Sequence, residues 1–299
     1  MEDGGRSTPW RFAAPNPTLA AAGERSIQKA LLQVHACLDE RGPRPVIPLS
    51  HGDPLLLTSF RTAPEAEEAL VAAVRSGEYN GYPTPATGLP ARRAVAEYLS
   101  RDLPYMISHD DIFLTCGGSQ AIETVMSVFG QAGVNILLPM PGYPKHEAHA
   151  VFHKMEVRHY DLIPERGWEV DLEAVEALAD GNTVAIVITN PNNHVAVCIP
   201  TNIWPRLLIH SEGFVSIISG PATFIQVKLD VSQFSDICDD VDFCSKLAKE
   251  ESVILLPGKS LGMENWLRIT FASEPPTLKQ GLERVKSFCR RHQSQANLC

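Results

Sequence analysis

The sequence is poor in the features that would mark a secreted, membrane or nucleic-acid-binding protein. Its seven cysteines, at 37, 116, 198, 238, 244, 289 and 299, are odd in number and form no C-x-x-C pair. That pattern argues against a disulfide framework or a zinc site and for reduced thiols. It has no run of about 18 apolar residues such as a membrane span requires. The most apolar stretch, Leu207 to Val227, is interrupted by His210, Ser211, Glu212 and Gln226. Positive charge is in deficit: 26 basic against 35 acidic residues give a net charge of -9, which offers no support for nucleic-acid binding. Met1 to Arg25 has no apolar core of the kind a signal peptide needs, so a cytoplasmic protein is expected. Two local absences are more specific. Lysine is missing between Lys154 and Lys228, and aspartate between Asp180 and Asp230.

What is present is the composition of a globular chain. Its 299 residues are 44% hydrophobic and 20% charged, enough for one large or two ordinary domains with a sizeable core. Residues 1–25 read as a tail. Ile27, Ala30, Leu31 and Val34 have helical spacing, and a second helix is predicted over Pro64 to Arg75. From Asp110 strands and helices alternate. Strands are predicted at Asp111–Thr115, Asn135–Leu138, Glu156–Leu162 and Thr183–Thr189, with one helix capped by Ser119 and another over Asp171–Ala179. Such alternation implies a mostly parallel sheet with its site at the carboxyl ends of the strands. Asn192 to Gln226 shows neither period. Beyond it come a short strand at Val227, a helix from Asp239 to Lys249, strands at Ser252–Leu256 and Trp266–Phe271, and a final helix from Pro276 to His292.

Four elements carry chemistry. Gly117-Gly118-Ser119 stands where a strand meets a helix, and free N–H groups at a helix N-terminus suit a phosphate. Asn190-Pro191-Asn192-Asn193 follows a strand predicted to be buried. Arg268 sits in the apolar run Trp266–Thr270, where a guanidinium is costly unless paired, ideally with a carboxylate. Tyr79-Asn80-Gly81-Tyr82 precedes a helix, with Gly88 and Arg92-Arg93 behind it. Taken one at a time, these are also a glycine turn, an Asn/Pro turn, a structural ion pair and a loop.

Taken together and in this order, the four resemble the pyridoxal-phosphate (PLP) aminotransferases of fold type I, of the tyrosine or nicotianamine aminotransferase kind. The resemblance covers residues 25–193 and 221–293. It implies a three-layer α/β/α large domain, here shortened, and a small α+β domain assembled from both ends of the chain. The corresponding boundaries are 26–82 and 227–299 for the small domain, and 83–226 for the large one. It also implies PLP as cofactor, amino-acid and 2-oxo-acid substrates, a homodimer, and no metal. By the same resemblance, Gly117, Gly118 and Ser119 cradle the cofactor phosphate, and Tyr82 reaches that of a neighbouring subunit. Tyr143, in Pro141-Gly142-Tyr143-Pro144, stacks on the ring, and Asn193 bonds the ring hydroxyl. Gly52, in Gly52-Asp53-Pro54, belongs to a substrate loop, and Arg268 holds the substrate carboxylate.

The chain departs from the family in two places. Gly88 falls one residue later after Tyr82 than the family spacing. After Asn193, the family supplies an aspartate for the pyridinium nitrogen, a tyrosine and a Ser-x-x-Lys whose lysine forms the Schiff base. Residues 194–226 contain none of these groups, and 194–220 reads as an unrelated patch. The expectation is therefore an aminotransferase by descent with no catalytic lysine of its own. The alternatives are a non-catalytic protein that binds PLP or pairs with a full-length homologue, or an unstable product of altered splicing or gene assembly. Lys145 and Lys259 read as solvated surface lysines. Losing strands from the sheet is expected to cost Thr183–Thr189 neighbours that it is built to have.

Overall fold

The computed structural model describes Pro17 and residues 26–39, 42–50, 61–82, 88–101, 103–190, 192, 215–219 (backbone only) and 224–294. By compactness the chain divides into two units, residues 1–54 with 125–299, and residues 55–124.

In the larger unit, Ser26 caps helix α1 (Ile27–His35) by accepting from Lys29 N–H. Strand β1 (Ile47–Pro48) follows. The five-stranded sheet is built from β2 (Asn135–Met140), β3 (Glu156–Ile163), β4 (Glu169–Val170), β5 (Thr183–Thr189) and β6 (Val215–Ser219), in the order β4-β3-β2-β5-β6. All neighbours run parallel except β4, which is antiparallel to β3. Helix α5 (Pro144–Phe152) crosses from β2 to β3. Helix α6 (Leu172–Leu178), capped by Asp171, leads to β5. Leu137, Tyr160, Leu162, Val175, Ile186 and Ile188 form the core on one face. The Tyr160 hydroxyl is buried there and donates to Val187 O at 2.6 Å.

The expectation that β5 would lose its neighbours is overturned. β2 lies on one side, and on the other β6 pairs with it in parallel over Ala185–Thr189. The stretch 192–226, read as having no period, supplies that strand. The pairing is decided by the available edge of β5 rather than by any alternation within Val-Ser-Ile-Ile-Ser.

The rest of the larger unit comes from the C-terminal third. Strands β7 (Phe224–Lys228), β9 (Leu256–Pro257) and β10 (Trp266–Thr270) form an antiparallel sheet with β10 central. Strand β8 (Val253–Ile254) pairs in parallel with β1. Helices α7 (Asp240–Glu251) and α8 (Pro275–His292) pack Phe243, Leu247 and Phe288 against Val34, Ile47, Leu49, Leu267 and Ile269. This core joins α1 and β1 to the C-terminal third.

The smaller unit contains α2 (Pro64–Ser76), α3 (Leu89–Ser100) and the start of α4 (Gly117–Phe129). The predicted strand Asp111–Thr115 is not formed. Residues 109–111 make a 3-10 turn capped by Ser108, and the Ile112 carbonyl accepts from Arg92 Nε at 3.0 Å. The segment pairs with no strand among the described residues, and Phe113 is 86% exposed. An apolar run becomes a strand only when a partner's edge meets it.

Candidate active site

Two parts of the predicted site come together in the larger unit. Arg268 lies mid-way along β10, opposite Gln226 of β7 and Leu256 of β9, and is only 5% exposed. Its Nη2 donates to Ser50 O at 3.2 Å, and Thr270 N–H donates to Leu49 O at 2.8 Å. The central strand thus holds the chain just before the predicted substrate loop. Gly52 itself, like Asn193, lies outside the described residues. Burial draws the Arg268 pKa down to about 10, against an opposing pull from the Tyr143 phenol. The guanidinium remains charged at neutral pH, and a desolvated cation of this kind favours a carboxylate held bidentately.

Tyr143 follows the carboxyl end of β2 and forms the N-cap of α5, with Pro144 in the first turn. The turn that carries it is tightly packed. A Cβ on Gly142 would lie 2.3 Å from Pro139 O, and one on Gly262 only 2.0 Å from Met140 Sδ. Gly262 has a positive φ of 83° and ends the 3-10 turn Gly258–Leu261. Buried Asp240 holds that loop by accepting from Lys259 N–H at 2.7 Å and Asn265 N–H at 3.3 Å.

Gly117, Gly118 and Ser119 lie in the smaller unit. Gly117, not a residue capped by Ser119, opens α4, so the predicted cap is corrected: Ser119 lies inside the first turn. Gln120 Oε1 accepts from Cys116 N–H at 2.6 Å, and Thr115 Oγ1 donates to Gly117 O at 3.0 Å. The helix therefore starts three residues earlier than a cap at Ser119 implies. Among the described residues, chain neighbours and the helix's own backbone aside, no atom stands within 4 Å of a Cβ built on Gly117 or Gly118, so the turn is open above both glycines. Gly117 needs its freedom, with φ 76°. Tyr82 is 95% exposed.

The sequence reading missed two buried polar groups. Among the described residues, neither ring nitrogen of His146, three residues beyond Tyr143 in α5, has a hydrogen-bond partner, and nor does the Thr189 hydroxyl at the end of β5. Both positions precede or follow recognisable motifs, but burial is a tertiary property and no local pattern announces it. No group of three or more potential metal-ligating side chains occurs among the described residues. No helix there is long and apolar enough to cross a membrane.

A mostly parallel α/β sheet of this kind is the fold of the PLP-dependent aminotransferases of fold type I. The solved tyrosine aminotransferase of Leishmania infantum shares the fold with a TM-score of 0.78 at 21% identity, over 90% of this chain and 98% of that one. The chain matches the aminotransferase class I and II family over residues 44–212 and 206–285, and it belongs to that family. Nicotianamine aminotransferase 1 of Oryza sativa subsp. japonica is 40% identical over a 423-residue alignment, covering 98% of this chain and 85% of that protein. The S-alkyl-thiohydroximate lyase SUR1 of Arabidopsis thaliana is 32% identical over 96% of this chain and 89% of its own length.

PLP is the cofactor of this family. The residues present fit parts of it. The open Gly117–Gly118 turn suits a phosphate, and Arg268 suits a substrate carboxylate. No lysine occurs between Lys154 and Lys228.

Proposed function

We propose that this chain is an aminotransferase homologue of the tyrosine or nicotianamine type that retains means of binding and has lost transamination. The observation that carries the binding half is Arg268, a buried guanidinium beside Tyr143 at the edge of the segment leading to Gly52. It would hold the carboxylate of an amino acid or 2-oxo acid. Gly117, Gly118 and Ser119 would take the cofactor phosphate, with Tyr143 against the ring and Asn193 on its hydroxyl. Tyr82 would serve a second subunit of a dimer.

The loss of chemistry is supported by sequence length and composition. The rice alignment runs over 423 residues, whereas this chain has 299, so the chain skips a long internal stretch of its relative. The family match falls in two pieces that meet at 206–212, inside the divergent patch. Bound PLP supplies an electron sink for cleaving bonds at the substrate's α-carbon. A lysine that anchors it and moves the α-proton is needed for turnover, and none lies between Lys154 and Lys228. Lys145 lies two residues beyond Tyr143, and Lys259 lies in the 3-10 turn Gly258–Leu261.

The test is borohydride reduction of the purified chain with PLP, followed by intact mass and peptide mapping. The expected result is no adduct at any single lysine, together with retained non-covalent PLP binding. One phosphopyridoxyl group on Lys145 or Lys259 would overturn the loss of chemistry. Absence of any saturable PLP binding would overturn the retained site.

A further inference from the structure

His146 lies in the first turn of α5 and is 1% exposed. Its ring meets that of Tyr143 edge to face, with centroids 5.7 Å apart and planes at 87°. Burial, assisted by the nearby His149, lowers its pKa to about 4, so the ring is neutral at physiological pH. A neutral imidazole presents one N–H donor and one lone pair. Neither has a hydrogen-bond partner among the described residues. A buried polar group left unsatisfied costs about 1–3 kcal/mol, which is why such groups nearly always have a protein or water partner.

The ring borders a small cavity whose lining includes Glu147, His159, Ser260 and Leu261. One wall is polar. His159 Nε2 lies 3.5 Å from Glu147 Oε2, and the Ser260 hydroxyl donates to Pro257 O at 2.8 Å, which keeps its oxygen available as an acceptor. The cavity volume of about 20 Å³ exceeds the ~10–15 Å³ that one water needs, and the wall offers the two to four polar partners a buried water uses.

We infer that His146 is a positioning residue, tethered through an ordered water in this cavity to the Glu147–His159 pair and Ser260, and that it fixes the plane of the Tyr143 ring. The consequence for cofactor binding rests on the role given to Tyr143 above. The tether also links the 258–262 loop of the C-terminal third to the end of β2, because Ser260 and Leu261 close the cavity.

The test uses the full chain and two variants. His146→Phe keeps an aromatic edge against Tyr143 but has no nitrogen for the water, whereas His146→Asn keeps a donor and an acceptor. Dissociation constants for pyridoxal phosphate are measured by equilibrium dialysis. The phenylalanine variant is expected to bind about five-fold more weakly or worse, and the asparagine variant to stay within about two-fold of the parent. Equal binding by all three, or equal loss in both variants, would overturn the inference. Nuclear magnetic resonance of the parent's His146 ring gives a readout that needs no cofactor. A ring that stays neutral from pH 5 to 8, with a slowly exchanging N–H, supports the tether. A ring titrating near 6.5 refutes it. If the parent fails to bind pyridoxal phosphate, the cofactor reading falls and the resonance experiment alone decides the role of His146.

Discussion

At the scale of single residues, Arg268 and Gly262 show how differently two side-chain positions can be constrained. Arg268 is visible in the sequence as a cation in an apolar strand, and the structure buries it on the central strand β10. Arg268→Lys keeps the charge but not the planar fork. Where the parent binds 2-oxoglutarate, the affinity of this variant measured by calorimetry should fall by about ten-fold or more. Unchanged affinity would remove Arg268 from the carboxylate site. Gly262, by contrast, looks like any loop glycine until its contact with Met140 is seen. Its positive φ and the 2.0 Å approach of a would-be Cβ to Met140 Sδ both oppose a side chain. Gly262→Ala should lower the urea midpoint by an amount equivalent to about 2 kcal/mol. An unaltered midpoint would mean that Met140 moves aside without cost.

At the scale of elements, the end of α8 is held by a charged clasp. His292 Nδ1 lies 2.8 and 2.9 Å from the two oxygens of Asp236, and its Nε2 lies 3.1 and 3.2 Å from those of Glu250. Arg291 adds contacts to Glu250 at 3.0 Å and Glu251 at 2.7 Å, while Lys246 faces Asp236 at 3.8 Å. The backbone closes the same junction: Ser235 N–H donates to His292 O, and Phe234 bridges Gln293. Partial burial disfavours the charged imidazole, but hydrogen bonds to Asp236 and Glu250 outweigh it and raise the pKa above 6.5. The carboxyl pKa of Asp236 is lowered by its hydrogen bond to His292. A raised histidine pKa gives stability that is fully present below 6.5 and is lost as pH rises through the folded value. The clasp is therefore strongest between the carboxylate range and 6.5. Melting temperature should fall from pH 6 to pH 9, and His292→Gln should flatten that slope. The same slope in parent and variant would show that other groups govern it.

The same scale shows where sequence patterns suffice. Ser26 and Asp171 cap their helices as polar residues ahead of periodic runs should. Buried on both faces, β5 reads directly from Thr-Val-Ala-Ile-Val-Ile-Thr. Asp111–Thr115 carries an equally apolar signal and is no strand, because Arg92 satisfies the Ile112 carbonyl and no strand edge meets it.

At the scale of the whole molecule, the two units differ in how much they bury. In residues 55–124 only Ala96 and Ser100 are buried among the described positions, whereas α2 buries nothing and exposes Leu70, Val71 and Val74. The larger unit contains both hydrophobic clusters. Local opening is governed by buried apolar contact, so residues 61–116 should open far more readily than 224–294. Brief proteolysis followed by fragment mass mapping should give first cuts within 55–124 and leave a C-terminal fragment containing 224–294. First cuts inside α7 or α8 would contradict this ordering. Within the smaller unit, Phe113 and Leu114 are also exposed.

The sequence by itself determined the family, the motif order, the location of most helices and strands, and the absence of lysine between Lys154 and Lys228. These are properties of residue type and spacing, which survive without any long-range contact. Only the tertiary structure decided that Val215–Ser219 joins the sheet, that Asp111–Thr115 does not, and that α4 begins at Gly117. It alone brought Tyr143, His146 and the 258–262 loop around one cavity, and set Arg268 against Ser50. Strand pairing and burial depend on which edges and faces meet across more than 200 residues of chain, as Ser50 and Arg268 do with a separation of 218, and local spacing carries no record of that meeting.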